Sequence, residues 1–228
     1  MSDTIYYQTG DIRQEDFVLH LHLLNDSERL RAMRYQHLSD KLRFACTRIA
    51  LKRLLAQLTK SNAEHIAIQL TPEGQPYCVQ EGNRWQISVS HCEQHYLIAA
   101  TRAELAIGTD LEVCHRHAAC HSDMQTSFCH PQEITLLKSL PPSQQNHAAQ
   151  SIWSVKEALL KARGTGLRSD PCAIRLPVPF PAQYDLKIWG AHFRLIQQTL
   201  LHPVNPLLLL TFCANNPRAD WLPVSTPM

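Results

Sequence analysis

Between Arg84 and Val113 the chain falls three times into two-residue alternation, and that run limits the fold more than any other feature. "RWQISVSH" (Arg84 to His91) sets Trp85, Ile87 and Val89 against Gln86, Ser88 and Ser90, the pattern of a half-buried strand. "HYLIAAT" follows after a short polar link, which predicts a hairpin. "ELAIGTDLEV" (Glu104 to Val113) is a third strand with Leu105, Ile107, Leu111 and Val113 on one face. Helical periods flank this block. Ser39 is placed to cap a helix from about Asp40 to Lys60, where Leu42, Ala45, Cys46 and Ile49, then Leu51, Leu54, Leu55 and Leu58, have helical spacing. A second long helix is expected to start near Ser143, after Pro141 and Pro142. It runs to Arg163, with Ile152, Val155, Leu159 and Ala162 inward and Gly164 as its stop. Further strands are expected at "AIRLPV", "YDLKIWG", "HFRLIQQ" and "LLLLTFC". Each half then offers one long helix and several strands, an α+β arrangement divided near Ala103 to Ile107. No sequence repeat supports duplication, and the proline-bearing tail after Asn215 is expected to be loose.

Composition removes several classes. With 228 residues, 44% apolar and 18% charged, the chain has ample material for a buried core and reads as soluble and globular. A net charge of +2 argues neither for nucleic acid nor for a membrane surface. The charge is uneven locally: Arg29, Arg31, Arg34, Lys41, Arg43, Arg48, Lys52 and Arg53 crowd one segment, opposed there by Glu28 and Asp40. The first twenty residues hold Asp3, Asp11, Arg13, Glu15 and Asp16 and no apolar core for a signal peptide, so the cytoplasm is the expected location. "PLLLLTFCA" is too short to span a bilayer. Eight cysteines with no C-x-x-C pair are not a disulfide framework. The cluster "CHRHAACH" (Cys114 to His121), with Cys129 and His130 beyond it, carries zinc-type ligands at a spacing that fits no usual structural zinc pattern.

Two positions carry more chemistry. Asp110 and Glu112, two apart on a strand, leave the same face with Cα atoms about 7 Å apart. Such a pair is either a solvated strand face or a start on a magnesium site, since magnesium takes one or two carboxylates and fills its shell with water and phosphate. In "SIWSVKEALLKARGTG" (Ser151 to Gly166), Trp153, Glu157 and Lys161 share one helical stripe. Glu157 and Lys161 are in the favourable orientation for a surface pair, yet the large aromatic on the same stripe argues against a face open to solvent. A third carboxylate meeting Asp110 and Glu112 would complete an acidic metal site, leaving Lys161 to neutralise a phosphate. Local spacing leaves both readings open.

The order of motifs bears on the choice. "GQP" (Gly74 to Pro76), "ISVSH" (Ile87 to His91), "IGTDLE" (Ile107 to Glu112) and "WSVKEALLKARGTGL" (Trp153 to Leu167) occur in this order. The set resembles the 4′-phosphopantetheinyl transferases, in particular the long, pseudo-dimeric class typified by the surfactin-synthetase activator. The pattern there is close to G-K-P, F-N-x-S-H, G-[IV]-D-[ILV]-E and W-[ST]-x-K-E-[AS]-x-x-K-x-x-G-x-G. The resemblance covers residues 25 to 170 or so and is densest in the last motif.

The resemblance implies two similar halves, residues 1–105 and 106–228, each a small antiparallel sheet packed on a long helix, with the ligand cleft between them. It implies a monomer that transfers phosphopantetheine from coenzyme A to a serine of an acyl or peptidyl carrier protein and releases 3′,5′-ADP. Asp110, Glu112 and Glu157 would hold Mg2+, Lys161 and His91 would meet the coenzyme A pyrophosphate, and Ser90 the adenosine end. Gly74, Gln75 and Pro76 would wall the adenine. Arg43 matches a basic position near the 3′-phosphate, with Arg31 and Arg48 as further candidates and Lys156 in support. Glu133, in "FCHPQEITLL", is one candidate for the base that takes the serine proton; Glu157 or a water on the metal is the other. Trp153 is expected to fill core. Gln75 departs from the family's lysine, and "SHCEQHYLIA" lacks the glycine often found after Ser-His. A rival from another class is a catalytically impaired coenzyme A or nucleotide-binding regulatory protein. A nucleic-acid module built on Arg29 to Arg53 lacks interleaved aromatics for stacking.

Overall fold

The computed structural model describes residues 3–13, 17–102, 104–114, 125–177, 182–202 and 205–225. The Cys/His-rich stretch 115–124 and Ala103 at the expected boundary lie outside the described residues. A six-stranded sheet runs in the order β10-β1-β5-β4-β3-β2. It comprises β1 (Thr4–Asp11), β2 (Ile68–Leu70), β3 (Pro76–Gln80), β4 (Asn83–Cys92), β5 (His95–Thr101) and β10 (Asp220–Pro223). A four-stranded sheet runs β6-β9-β8-β7, with β6 (Ile107–Cys114), β7 (Gln183–Ile188), β8 (Ala191–His202) and β9 (Asn205–Ala214). The helices are α1 (Asp26–Met33), α2 (Leu38–Thr59), α3 (Pro131–Ser139) and α4 (Pro142–Arg163).

The alternation from Arg84 onward becomes the β4–β5 hairpin, paired from Gln86 with Thr101 to Cys92 with His95. Ile49, Leu54 and Leu55 of α2 join Trp85, Ile87, Tyr96 and Ile98 in one core. Ile152, Val155 and Leu159 of α4 join Phe193, Leu195 and Cys213 in another. Four local expectations are corrected. The cap of α2 is His37, without a side-chain bond, because the helix starts one residue before Ser39. Leu42 is 48% exposed and lies outside the core. "AIRLPV" forms no strand over its described residues: Pro171–Ala173 is a 3₁₀ turn. The tail is not loose, since β10 pairs in parallel with β1 from Thr4–Asp220 to Tyr7–Pro223. That last pairing also sends the end of the second half into the sheet of the first.

A likeness between the halves that no sequence repeat reveals lies in the short helix that precedes each long one. Asn25 caps α1 and Glu28 closes a capping box with it; His130 caps α3 and Glu133 does the same. Lys52 of α2 pairs with Glu28 at 2.9 Å and donates to Leu23 O at 2.7 Å. Lys156 of α4 pairs with Glu133 at 2.6 Å and donates to Phe128 O at 2.7 Å. In both halves the carbonyl belongs to the residue two before the cap. A buried ammonium therefore ties the short helix to the long one twice, by the same geometry.

Strand β6 is where the halves meet. Its odd residues face the first sheet, with Ile107 packed beside Ile5 and Ala99 and Leu111 beside Leu97. Its even residues face α4. Gly108 is required there, because a Cβ would lie 1.9 Å from Ala158 O and 2.6 Å from Ala162 N, both backbone atoms that cannot yield. The edge of β6 away from β9 is closed by two side chains of β4: Ser88 Oγ accepts from Thr109 N at 2.9 Å and Ser90 Oγ from Leu111 N at 3.2 Å. Gly108→Ala is expected to cost about 1–3 kcal/mol of stability or to prevent folding, as overpacking against backbone does. Denaturant unfolding checks this, and a variant as stable as the parent would show that α4 is free to move off β6.

Candidate functional site

Three elements bring their polar residues to one point. Strand alternation turns Asp110 and Glu112 toward α4, and the helical stripe turns Glu157 and Lys161 toward β6. From the neighbouring sheet, β4 supplies Ser90. Its hydroxyl donates to Asp110 Oδ1 at 2.9 Å and accepts from Lys161 Nζ at 3.1 Å and from Leu111 N. One proton and two lone pairs are then fully used. Lys161 Nζ also donates to Asp110 Oδ1 at 2.8 Å and lies 3.4 Å from Glu157 Oε2. Its side chain is 26% exposed and lines an adjoining cavity.

The charge balance is uneven within this cluster. Burial, and then the charge of Asp110, push the Glu112 carboxyl up to about 7; a hydrogen bond from Trp153 offsets part of that. Burial also raises Glu157, with Lys161 opposing and Asp110 adding. Burial alone would lower Lys161, but Asp110 and Glu157 together carry it above the ordinary lysine value. One ammonium thus faces three acids. Asp110 Oδ2 is buried and has no hydrogen-bond partner among the described residues.

Among the described residues no three His, Cys, Asp or Glu side chains are gathered closely enough to hold a metal ion as they stand, and Lys161 sits between Asp110 and Glu157. The donor set nevertheless fits a hard divalent cation. All three donors are carboxylates, one buried oxygen is unpartnered among the described residues, and burial together with the charge of Asp110 raises Glu112.

A cavity of about 180 Å³ adjoins the cluster at Lys161, and a second of the same volume shares Gly74, Pro76 and Val89 in its wall. One is lined by Gly74, Gln75, Pro76, Ser88, Lys161 and the Gly164–Gly166 turn. The other is lined by Arg31, Tyr35, Phe44, Arg48 and His91. Both guanidinium groups lie over the Phe44 ring, Arg31 at 5.1 Å and Arg48 at 5.4 Å. His91 is lowered from the usual histidine value by burial and then by the charges of Arg43 and Lys161, so it faces this cavity as a neutral imidazole near pH 7.

The expected site residues divide accordingly. Ser90, Asp110, Glu112, Glu157 and Lys161 come together, and Gly74, Gln75, Pro76, His91, Arg31 and Arg48 line the adjoining cavities. Arg43 lines neither: it pairs with Asp40 at 3.2 Å and donates to Glu93 O at 3.0 Å. Ser90 is committed to Asp110 and Lys161, not open toward an adenosine. Glu133 and Lys156 leave the site altogether. Both side chains are 0% exposed, and Glu133 accepts from Lys156, from His130 N at 2.7 Å and from Leu176 N at 2.9 Å. Buried and bonded at both oxygens, this carboxylate is shut away from a substrate proton.

Sequence reasoning passed over Ser88, whose alternation with Ser90 was visible, and the bond from Trp153 to Glu112. Trp153 does fill space against Phe128, at 5.2 Å between ring centroids, but its polar edge serves the acidic cluster. His130, grouped with the metal-type residues, caps α3 by accepting from Gln132 N at 3.3 Å.

Comparison with known proteins agrees in both halves. A family model described as 4′-phosphopantetheinyl transferase, N-terminal, matches residues 11–103, and one described as the 4′-phosphopantetheinyl transferase superfamily matches residues 106–203. The chain is 33% identical over 147 residues, 64% of its own length and 58% of the relative's, to a Synechocystis sp. protein provisionally named a 4′-phosphopantetheinyl transferase. It is 29% identical over 149 residues, 63% of its length and 61% of the relative's, to the 4′-phosphopantetheinyl transferase HetI of Nostoc sp.. The matched region thus spans less than two thirds of each of these curated relatives. With one family's models on both sides of the β6 junction, the chain belongs to the 4′-phosphopantetheinyl transferase superfamily.

Proposed function

We propose that the protein is a magnesium-dependent 4′-phosphopantetheinyl transferase of the long, two-half class. It acts as a cytoplasmic monomer, takes coenzyme A as donor, and modifies a serine of an acyl or peptidyl carrier protein. The observation that carries this reading is the buried network in which β4, β6 and α4 each supply one partner of Ser90, Asp110 and Lys161, beside a cavity walled by Gly74 to Pro76. Among the described residues no helix is long and apolar enough to cross a membrane.

In this reading Arg31 and Arg48 receive the 3′-phosphate, where guanidinium N–H groups clamp oxygen bidentately. Gly74 to Pro76 border the adenine. Asp110, Glu112 and Glu157 would hold the magnesium ion. When bound, it supplies positive charge against the diphosphate oxygens. Lys161 meets the same oxygens and stabilises the charge that spreads over them during transfer. The carrier serine oxygen attacks the β-phosphorus. The bond from that phosphorus to the bridging oxygen breaks, and 3′,5′-ADP leaves with the electron pair. With Glu133 committed to Lys156, Glu157 is the remaining side-chain candidate for the serine proton.

Mixing the protein with apo carrier protein, coenzyme A and magnesium should add phosphopantetheine to the carrier, read by intact mass. Unmodified mass on several diverse carriers would remove the proposal. Asp110→Ala should lower turnover about 100-fold or more with the fold retained, since it removes a group that meets developing charge. Near-parental turnover in that variant would strip Asp110 of its role.

Glu133→Gln separates lock from base. It should lower the melting temperature yet keep turnover within about tenfold at a permissive temperature, because a general base contributes about 100-fold or more. A loss of that size in a folded variant would restore Glu133 as the base.

Glu112 makes stability depend on pH. Its folded value of about 7 lies above the ordinary 4.5, so the folded chain holds the proton more tightly than the unfolded one. Without metal, stability should fall as pH rises from about 4.5 to 7 and then level. Magnesium favours the ionised carboxyl and should raise the melting temperature more at pH 8 than at pH 5.5. Glu112→Gln should flatten both trends. Equal magnesium effects at the two pH values would exclude Glu112 as a ligand.

A further inference from the structure

The loop from Glu73 to Pro76 belongs to the first half, yet two of its polar groups bond to the second. Gln75 Nε2 donates to Lys161 O at 3.2 Å, across 86 positions of chain. Arg168 Nη2 donates to Glu73 O, and Arg168 Nε donates to Thr165 O within its own turn at 3.3 Å. Two side chains, one from each half, therefore cross the same gap in opposite directions.

What they hold is the end of α4. Lys161 O is one of the last four carbonyls of the helix, for which no intrahelical donor exists. It accepts from Gly164 N at 3.0 Å, where Gly164 takes the left-handed conformation at φ 82, and its second lone pair goes to Gln75. A Cβ on Gly164 would come 3.0 Å from Gln75 Oε1, so the amide lies directly against the cap. Lys161 is thus fixed at both ends: its backbone by Gln75 and its ammonium by Asp110, Ser90 and Glu157.

Gln75 also walls two spaces. The cavity beside Lys161 lies on one side, and on the other lies a groove of about 500 Å³ lined by Arg84, Gln86, Arg102, Glu104, Arg163 and Asn215. A side chain bonded to backbone in this position divides the two.

We propose that Gln75 and Arg168 form a latch between the halves, in which Gln75 is a positioning residue for Lys161. Loop 73–76 acts on the site by fixing the last turn of α4, so the amide at position 75 governs the geometry of the lysine. The effect on turnover rests on the transferase reading; the latch itself does not.

Gln75→Leu keeps the size and removes the donor, and Arg168→Ala cuts the second crossing bond. Amide hydrogen exchange in the intact protein reads the latch without any substrate. Exchange at Gly164 N–H should rise about fivefold in each variant, the scale of one net hydrogen bond, while amides of α2 stay unchanged. In the transfer assay, Gln75→Leu should lower kcat several-fold with KM for coenzyme A within twofold, and Gln75→Asn should not restore it, being too short by one methylene. Unchanged exchange at Gly164 in both variants would overturn the latch. A rise in KM at constant kcat would instead make Gln75 a direct ligand contact and overturn the positioning role. If the parent protein transfers nothing, the transferase reading fails, and the exchange result still decides the latch.

Discussion

The Ser90 hydroxyl is the interaction on which the rest of the structure turns. It closes the free edge of β6, orients one oxygen of Asp110 and receives the Lys161 ammonium, so a single atom joins the two sheets and the site. A hydroxyl has one proton and two lone pairs, and here none is spare. The edge of one sheet is not paired with the strand of the other. It is met by side chains, Ser88 and Ser90, which leaves the two sheets distinct yet fixed in register. Gly108 permits the same closeness from the other side, by letting α4 lie against the backbone of β6.

Rigidity in the long helices comes from a device used twice. In each half a capping-box glutamate is buried with a lysine from the following long helix, and that lysine also takes a backbone carbonyl. A buried ion pair adds little net stability against an apolar substitute, yet breaking one partner leaves a charge without compensation. The pairs therefore fix which face of each long helix turns inward. On α4 that choice matters for chemistry: Lys156 points to the core and Lys161, five positions on, points to Asp110.

The acidic cluster runs against this stability. Asp110, Glu112 and Glu157 are drawn together by the crossing of β6 and α4, and burial plus mutual repulsion raise Glu112 and Glu157. Lys161 compensates one charge only. A site arranged in this way is poised for further positive charge, and the cost is carried by the packed helix and strand around it.

Much of the fold was legible along the chain, because two-residue and helical periods report which face of each element is buried. The β4–β5 hairpin, β6, and α4 with its Gly164 stop follow from local pattern and cap chemistry. The grouping of Asp110, Glu112, Glu157 and Lys161 followed from motif order. What remote contacts decide was not legible. The return of β10 to β1 depends on a partner more than 200 residues away, and the prolines of the tail after Asn215 read locally as loose chain. Glu133 and Lys156 carry the same charges as catalytic groups, and only burial and mutual distance show that they neutralise each other. Arg31 and Arg48 line the cavity while Arg43 turns to Asp40, a choice made by helix packing. The sequence by itself determined the periodicity of each element and the residue types at the site, because faces and caps depend on near neighbours. The tertiary structure alone decided which charges line a cavity and which meet each other, because that depends on distances the linear chain does not encode.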